Sequence, residues 1–383
     1  MIPNNFQSVF SFILPTKILF GPGCVKTIGN ELSELGVERP LIVTDTGVCA
    51  AGILDKVLAV LPKNIECRIF DKVEANPKDI NVAAGAEAYS AFGADSILAV
   101  GGGSPIDCAK SIAVLVANGA SDIKAFEGKN VPSKPLPPLV CIPTTSGTGS
   151  ELTFSSVITD TRNGYKMTVK NRFTAPKTAI CDPELTLTVP PSITAATGMD
   201  ALTHAVEAFT ATCSEPISDA VALYAIELIS QSLVPAFENG NDLEARSRML
   251  MGSMLAGIAF SHSDVASIHC IAESLGGMYD LPHGVCNAIF LPYMMAYNMG
   301  YCEQQYARIA MAMGLKSDAH AAVNAVKQLA KDVKLPSFAT LHVDSADFVK
   351  IASVSAKNLS NESNPRPMAE HDYMAVLKMA LET

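Results

Sequence analysis

The chain predicts two domains of different class: an α/β N-terminal domain on a mostly parallel sheet, and an all-α C-terminal domain. Three observations carry this. In the first half, short apolar runs alternate with helical stretches, the pattern of strands joined by helical crossovers. From about Pro190 onward Ala, Leu, Met and Ile recur at helical spacing and strand signals vanish. With 383 residues the chain is also long for a single hydrophobic core.

The elements follow in order. Apolar runs bounded by turn residues predict strands over residues 17–20, 41–45, 65–70, 97–100 and 139–143. Helical periodicity predicts helices over 25–35, 53–61, 80–92 and 105–117. After Thr145 the pattern loosens into β-like pieces, 154–159 and 166–170. The segment LTVPPS breaks regular structure, so the boundary is expected between 185 and 191, dividing the chain into 1–187 and 188–383.

Composition narrows the function. Hydrophobic residues at 49% against 17% charged favour large buried cores over long disordered tails. A formal net charge of -10 argues against nonspecific nucleic-acid binding and against an anionic membrane surface. The 10 cysteines form no C-x-x-C pair and read as free thiols in a reducing compartment. The start, MIPNNFQSVFSFILPTKILFGPG, lacks the basic region of a signal peptide. No apolar run is expected to span a bilayer. The expectation is a soluble, cytoplasmic protein.

Two loops carry nucleotide-like chemistry. The strand ILAV runs into GGGSPIDCAK, where Gly101, Gly102 and Gly103 let the backbone approach a ligand closely. Ser104 is expected to cap the following helix and Pro105 to sit in its first turn. The free N–H groups of that helix end suit a pyrophosphate. Asp107 would repel phosphate, so it is expected to bond locally. Such turns are common in α/β folds, and this one is not G-x-G-x-x-G. The second loop, PTTSGTGSE (143–151), offers hydroxyls and amides. Asp45 ends a strand. There it either accepts bonds from the adenine ribose and repels a 2′-phosphate, favouring NAD over NADP, or simply caps a turn.

The C-terminal half carries a metal pattern. Asp200 and His204 are four apart and share one helix face. His269 and His283 follow in SIHCIAESLGGMYDLPHGVCNA. One carboxylate and three imidazoles suit a divalent transition ion, Fe2+ or Zn2+. Cys270 and Cys286 lie near but fit the set less well. His320, His342 and His371 are read as ordinary histidines, and His262 is unassigned.

With these motifs in hand, the chain resembles the iron-containing (group III) alcohol dehydrogenases over almost its whole length. GGGSPIDCAK, IPTTSGTGSE, AICDPELT, ATGMDALTHAVEAF, YDLPHGVCNAIFLP and SNPR carry the resemblance. It implies a dinucleotide-binding α/β domain followed by a helical metal domain, with the active site in the cleft between them. It implies metal ligands at Asp200, His204, His269 and His283. It places NAD contacts at Asp45, Asn76, Gly102, Gly103, Ser104, Asp107, Thr144, Thr145, Thr148 and Lys166. It also implies a homodimer or larger oligomer. One position departs: where the family usually reads H-x-x-x-H, this chain has His269 followed by Glu273. Glu273 either accepts the proton in the family histidine's place, contacts the metal, or points away; the first is favoured. The expected activity is NAD-linked, metal-dependent oxidation of a short-chain alcohol, or reduction of the aldehyde. The alternatives are a reductase of a functionalised small aldehyde, a dehydroquinate-synthase-like lyase using NAD and a metal, and a noncatalytic protein on the same scaffold.

Overall fold

The structure is a computed structural model that describes residues 9–129, 131 and 134–382. The reading of the chain's first eight residues lies outside the described residues. The chain divides into two compact units, Leu14–Val189 and residues 190–382 with residues 9–13.

The first unit is built on six parallel strands: β1 (Lys17–Phe20), β2 (Pro40–Val43), β3 (Arg68–Phe70), β4 (Ser96–Gly101), β6 (Leu139–Pro143) and β9 (Thr178–Cys181). Their order is β1-β9-β6-β4-β2-β3. Alternate residues serve two cores, as the two-residue strand period requires. Leu41, Val43, Ile97 and Ala99 pack with Val82, Tyr89, Ile106 and Ile112 on one face. Ile42, Leu98, Val100 and Ile142 pack with Ile28, Leu32, Ile53 and Val57 on the other. The covering helices are α1 (Ile28–Glu34), α2 (Thr46–Ala50), α3 (Ile53–Val60), α4 (Asp79–Phe92) and α5 (Gly103–Asn118). A small second sheet has the order β5-β8-β7, from β5 (Gly128–Lys129), β7 (Ser155–Asp160) and β8 (Tyr165–Lys170).

The strand order explains where a ligand can enter. The crossover from β2 leads outward to β3, whereas that from β4 leads the opposite way to β6. The loops after β2 and β4 therefore diverge, which opens a crevice at the carboxyl ends of these strands.

β9 is not anticipated from sequence. Its four residues are buried on both faces, so they show neither alternation nor enough length to stand out. The start of α5 also differs: Gly102 is its N-cap and Ser104 lies inside the first turn, with no side-chain cap bond.

The second unit is helical: α6 (Pro191–Thr210), α7 (Pro216–Glu238), α8 (Leu243–Ser263), α9 (Ser267–Tyr279), α10 (His283–Ala312), α11 (Ala319–Asp332), α12 (Phe348–Ala356) and α13 (Glu370–Leu381). Contrary to expectation, α7 is long and apolar enough to cross a membrane by length and composition. Packing accounts for that apolarity. Ala222, Ala225, Ile226, Ile229 and Leu233 are buried in the core that α7 shares with α6 and α8.

Beneath the β6 loop lies a buried ionisable pair. Lys110 Nζ donates to Thr153 Oγ1 (2.8 Å), Thr153 O (3.0 Å), Ser155 O (2.9 Å) and Ser150 Oγ (3.2 Å). Burial lowers the Lys110 pKa and raises that of Glu151 to about 7. Glu151 thus takes up a proton in the folded chain at a pH where the unfolded chain has lost it. Its contribution to stability is complete below the ordinary carboxylate range and is lost as pH rises through about 7. The substitution Glu151→Gln keeps the shape without the charge. It is expected to hold the thermal unfolding midpoint better between pH 5 and pH 8, by roughly 1–3 kcal/mol at the upper end. Parallel declines in the two proteins would refute this.

Candidate functional site

The helical unit gathers a cluster of acceptors. Asp200 projects from the middle of α6, His269 from the first turn of α9, and His283 from the first residue of α10. One ligand atom from each lies within 4.8 Å of the others. Gly284 makes this approach feasible: a Cβ there would meet Ala196 O at 2.7 Å and Asp200 Cβ at 3.3 Å. Any larger residue would push α10 off α6.

His204 stands beside this trio, outside its tightest grouping. Its Nδ1 is 4.0 Å from Asp200 Oδ2, and its ring centroid is 4.5 Å from that of His269. Stacking on Phe260 at 4.4 Å holds the ring. The structure thus brings three of the four expected ligands together and sets the fourth against them. Cys270 and Cys286 are buried but do not join the group.

Two residues not anticipated from sequence frame the cluster. Glu207, 3% exposed, lies three residues after His204 on α6. Its carboxylate accepts from Ala266 N (2.9 Å), Ile268 N (2.7 Å) and His269 Nδ1 (2.5 Å). Burial alone would lower the His269 pKa, but the charges of Glu207, Asp200 and Glu273, together with the Glu207 hydrogen bond, raise it. Asn287, one turn after His283, is fully buried. Its Nδ2 lies 2.7 Å from Asp200 Oδ1, 3.0 Å from His269 Nε2 and 3.1 Å from His283 Nε2. Its Oδ1 has no hydrogen-bond partner among the described residues. A signal for both existed in the spacing: D-x-x-x-H-x-x-E on one helix, and H-x-x-x-N on another.

A divalent cation fits this donor set. A carboxylate oxygen and two imidazole nitrogens converge on one buried region, the chemistry that iron and zinc accept. The amide Nδ2 of Asn287 marks that region as a place for positive charge.

Glu273 lies one turn beyond His269 on α9, outside the tight trio. Its Oε2 accepts from Asn358 Nδ2 at 2.6 Å. His262 is engaged by the N-terminal segment: Phe12 stacks on its ring at 3.9 Å, and Ile13 N donates to its Nε2 at 3.2 Å. His320, His342 and His371 are exposed.

In the α/β unit the expected nucleotide residues leave the carboxyl ends of three adjacent strands. Asp45 follows β2, Gly102 to Ser104 follow β4, and Thr144 to Thr148 follow β6. The two glycine-rich loops touch. A Cβ on Gly102 would meet Thr145 Oγ1 at 2.9 Å, and one on Gly103 would meet Thr148 Cγ2 at 2.6 Å. Both glycines are thus required by packing as well as by any ligand. The first turn of α5 opens here without a side-chain cap.

Individual residues divide. Asp45 caps α2, its Oδ1 accepting from Val48 N at 2.8 Å. Asn76 adopts a left-handed conformation (φ 51), and its Oδ1 accepts from Lys166 Nζ at 2.7 Å. Asp107, expected to bond locally, instead accepts from residues distant in sequence, Ser150 Oγ (2.5 Å) and Val157 N (3.0 Å). It braces the second loop from beneath. Thr144 is 2% exposed and donates its N–H to Gly101 O at 3.1 Å.

The sequence model of iron-containing alcohol dehydrogenases matches residues 15–183, and that of the family's C-terminal domain matches 194–381. The chain is 39% identical to 1,3-propanediol dehydrogenase of Citrobacter freundii, over 97% of this chain and 99% of that one. It is 35% identical to NAD-dependent methanol dehydrogenase of Bacillus methanolicus, over 97% and 100%. The crystal structure of a 1,3-propanediol oxidoreductase superposes with a TM-score of 0.94 at 38% identity, covering 97% of this chain and 100% of that one. The chain therefore belongs to the iron-containing alcohol dehydrogenase family and is an oxidoreductase.

Proposed function

We propose that the protein transfers hydride between a short neutral alcohol and NAD, and runs the reverse reduction of the aldehyde or ketone. The observation that carries this reading is the convergence of Asp200, His269 and His283 within 4.8 Å, in a chain whose other unit opens glycine-rich loops at a strand crossover point. The relatives named for propanediol and methanol dehydrogenation support the substrate class.

Asp200, His269 and His283, with His204 beside them, would hold the ion. A bound divalent cation supplies Lewis acidity, which lowers the pKa of an alcohol and polarises a carbonyl. The remaining work falls to the chain. Gly102, Gly103 and Ser104 offer backbone to the coenzyme's pyrophosphate at the start of α5. Thr144, Thr145 and Thr148 wall that loop, and the Asn76–Lys166 pair adds a cation nearby. Holding the coenzyme in one pose provides the entropic part of catalysis. Glu273 is assigned the proton-accepting role that the family usually gives to histidine, with Asn358 orienting it. Asp45, fixed as a helix cap, favours NAD over the 2′-phosphorylated coenzyme.

Charge supports a neutral substrate. Asp200, Glu207 and Glu273 together make the site acidic. Arg366, the basic residue that could offset them, is engaged elsewhere. It lies over the Tyr297 ring at 3.9 Å, donates to Tyr297 O at 3.0 Å and faces Asp372 at 3.6 Å. The ten free thiols support a cytoplasmic setting, and the family resemblance supports a homodimer or larger assembly.

Three outcomes test this reading. His269→Ala and His283→Ala are each expected to lose bound metal and NADH formation together; a variant retaining full activity removes the metal assignment. Glu273→Gln is expected to flatten the acidic limb of the pH–rate profile for alcohol oxidation and lower turnover by about 10²-fold or more, whereas normal turnover on an unchanged profile excludes the relay role. Asp45→Asn preserves the cap but not the charge. It is expected to raise kcat/KM with NADP relative to NAD by about tenfold, and an unaltered ratio places coenzyme selection elsewhere.

A further inference from the structure

Deepening the metal reading above, on which it rests, we infer that Glu207 is the positioning residue of the centre: its charge orients His269 and ties that orientation to the helix that carries it.

A ligating histidine must present one nitrogen without a proton, and the bond made by the other nitrogen decides which one that is. His269 Nδ1 lies 2.5 Å from Glu207 Oε2. A carboxylate there draws the proton to Nδ1 and leaves the Nε2 lone pair pointing away. Independent geometry agrees. On the far side of the ring, Asn287 Nδ2 sits 3.0 Å from Nε2, so that nitrogen faces a donor. The same amide reaches Asp200 Oδ1 and His283 Nε2. His269 is therefore held between an acceptor and a donor, with its lone pair turned toward the other ligands.

Glu207 does more than hold a ring. It accepts from Ala266 N and Ile268 N at the start of α9, an end where no side chain of the helix's own N-cap residue serves. A carboxylate at a helix N-terminus also meets the positive end of the backbone dipole. One side chain thus sets both the first turn of α9 and the ring it bears. Glu207 shares α6 with Asp200 and His204, spaced seven and three residues from them. Ligand, helix start and orienting charge are locked into one rigid unit.

The experiment uses the full-length enzyme stripped by chelator, then titrated with Zn2+ and, anaerobically, with Fe2+, in competition with a chromophoric chelator. Glu207→Gln retains size but removes the charge and exchanges one of the two accepting oxygens for an NH2 donor. It is expected to weaken ion affinity about 10–100-fold. Thermal unfolding of the stripped protein is expected to fall modestly, because the start of α9 loses part of its cap, while its NAD affinity should change little. Glu207→Asp, which keeps the charge on a shorter arm, is expected to recover part of the affinity. Equal ion affinity in Glu207→Gln and the unsubstituted protein would overturn the inference, as would a variant that lost only thermal stability. If the unsubstituted protein itself binds neither ion, the metal reading fails, and Glu207 is left with its helix-capping role alone.

Discussion

The helical unit is organised around a costly act: carrying carboxylates and imidazole lone pairs out of water. Asp200, Glu207 and His269 are each at least 96% buried. Burying a charge costs several kcal/mol unless fixed partners compensate it. Here the partners are oriented dipoles. Glu207 spreads its charge over two backbone N–H groups and one imidazole, and Asp200 receives an amide. Apolar residues of like volume would stabilise a purely structural core as well or better. The arrangement is explained by what it holds. Helix placement follows from the same constraint: α6 runs through the cluster, α9 and α10 begin at it, and Gly284 lets α10 touch α6.

The α/β unit solves a different problem. A pyrophosphate needs backbone N–H groups and the absence of side chains that would keep it at a distance. Gly101 takes φ 154 directly before α5, and a Cβ there would meet Pro105 Cγ at 2.5 Å. The loop after β6 then packs its threonines where side chains on Gly102 and Gly103 would have been. Beneath, Asp107 and Lys110 spend their charge on Ser150, Thr153 and neighbouring backbone. These groups hold two short loops in register.

Much of this was legible in the residues. Strands with clear turn boundaries, such as 139–143, were found to the residue, and the change to helical texture after Pro190 was plain. Asp200, His269 and His283 stand out in the sequence because metal chemistry uses few residue types at recognisable spacing, and the fold brings them within 4.8 Å of one another. What escaped depended on tertiary partners. β9 is a buried four-residue strand whose identity comes from β1 and β6 on either side. Ser104 looked like a cap, yet the helix starts at Gly103 because a tight turn from β4 takes Gly102 as its cap. Glu207 reads as an ordinary helix glutamate until the start of α9 folds over it. Asn287 carries no charge and no motif of its own. Glu273 was noticed only for being unexpected, and its orientation comes from Asn358, 85 residues away in sequence.

The two units are sorted by electrostatic sense. In the α/β unit the loops after β4 and β6 offer donors: the first-turn N–H groups of α5 and threonine hydroxyls. These select an anion. In the helical unit the gathered side chains are mainly acceptors, and the Asn287 amide touches three of them at once. These select a cation. A polyanion and a divalent cation would thus be favoured by different units of the chain on charge alone. This sorting constrains what replaces the family's histidine at position 273. A carboxylate there deepens the acceptor character of the helical unit, so a bound ion would be held more firmly while an anionic substrate would be repelled more strongly. The second consequence alone bears on the substrate, and it would disfavour a carboxylate-bearing one.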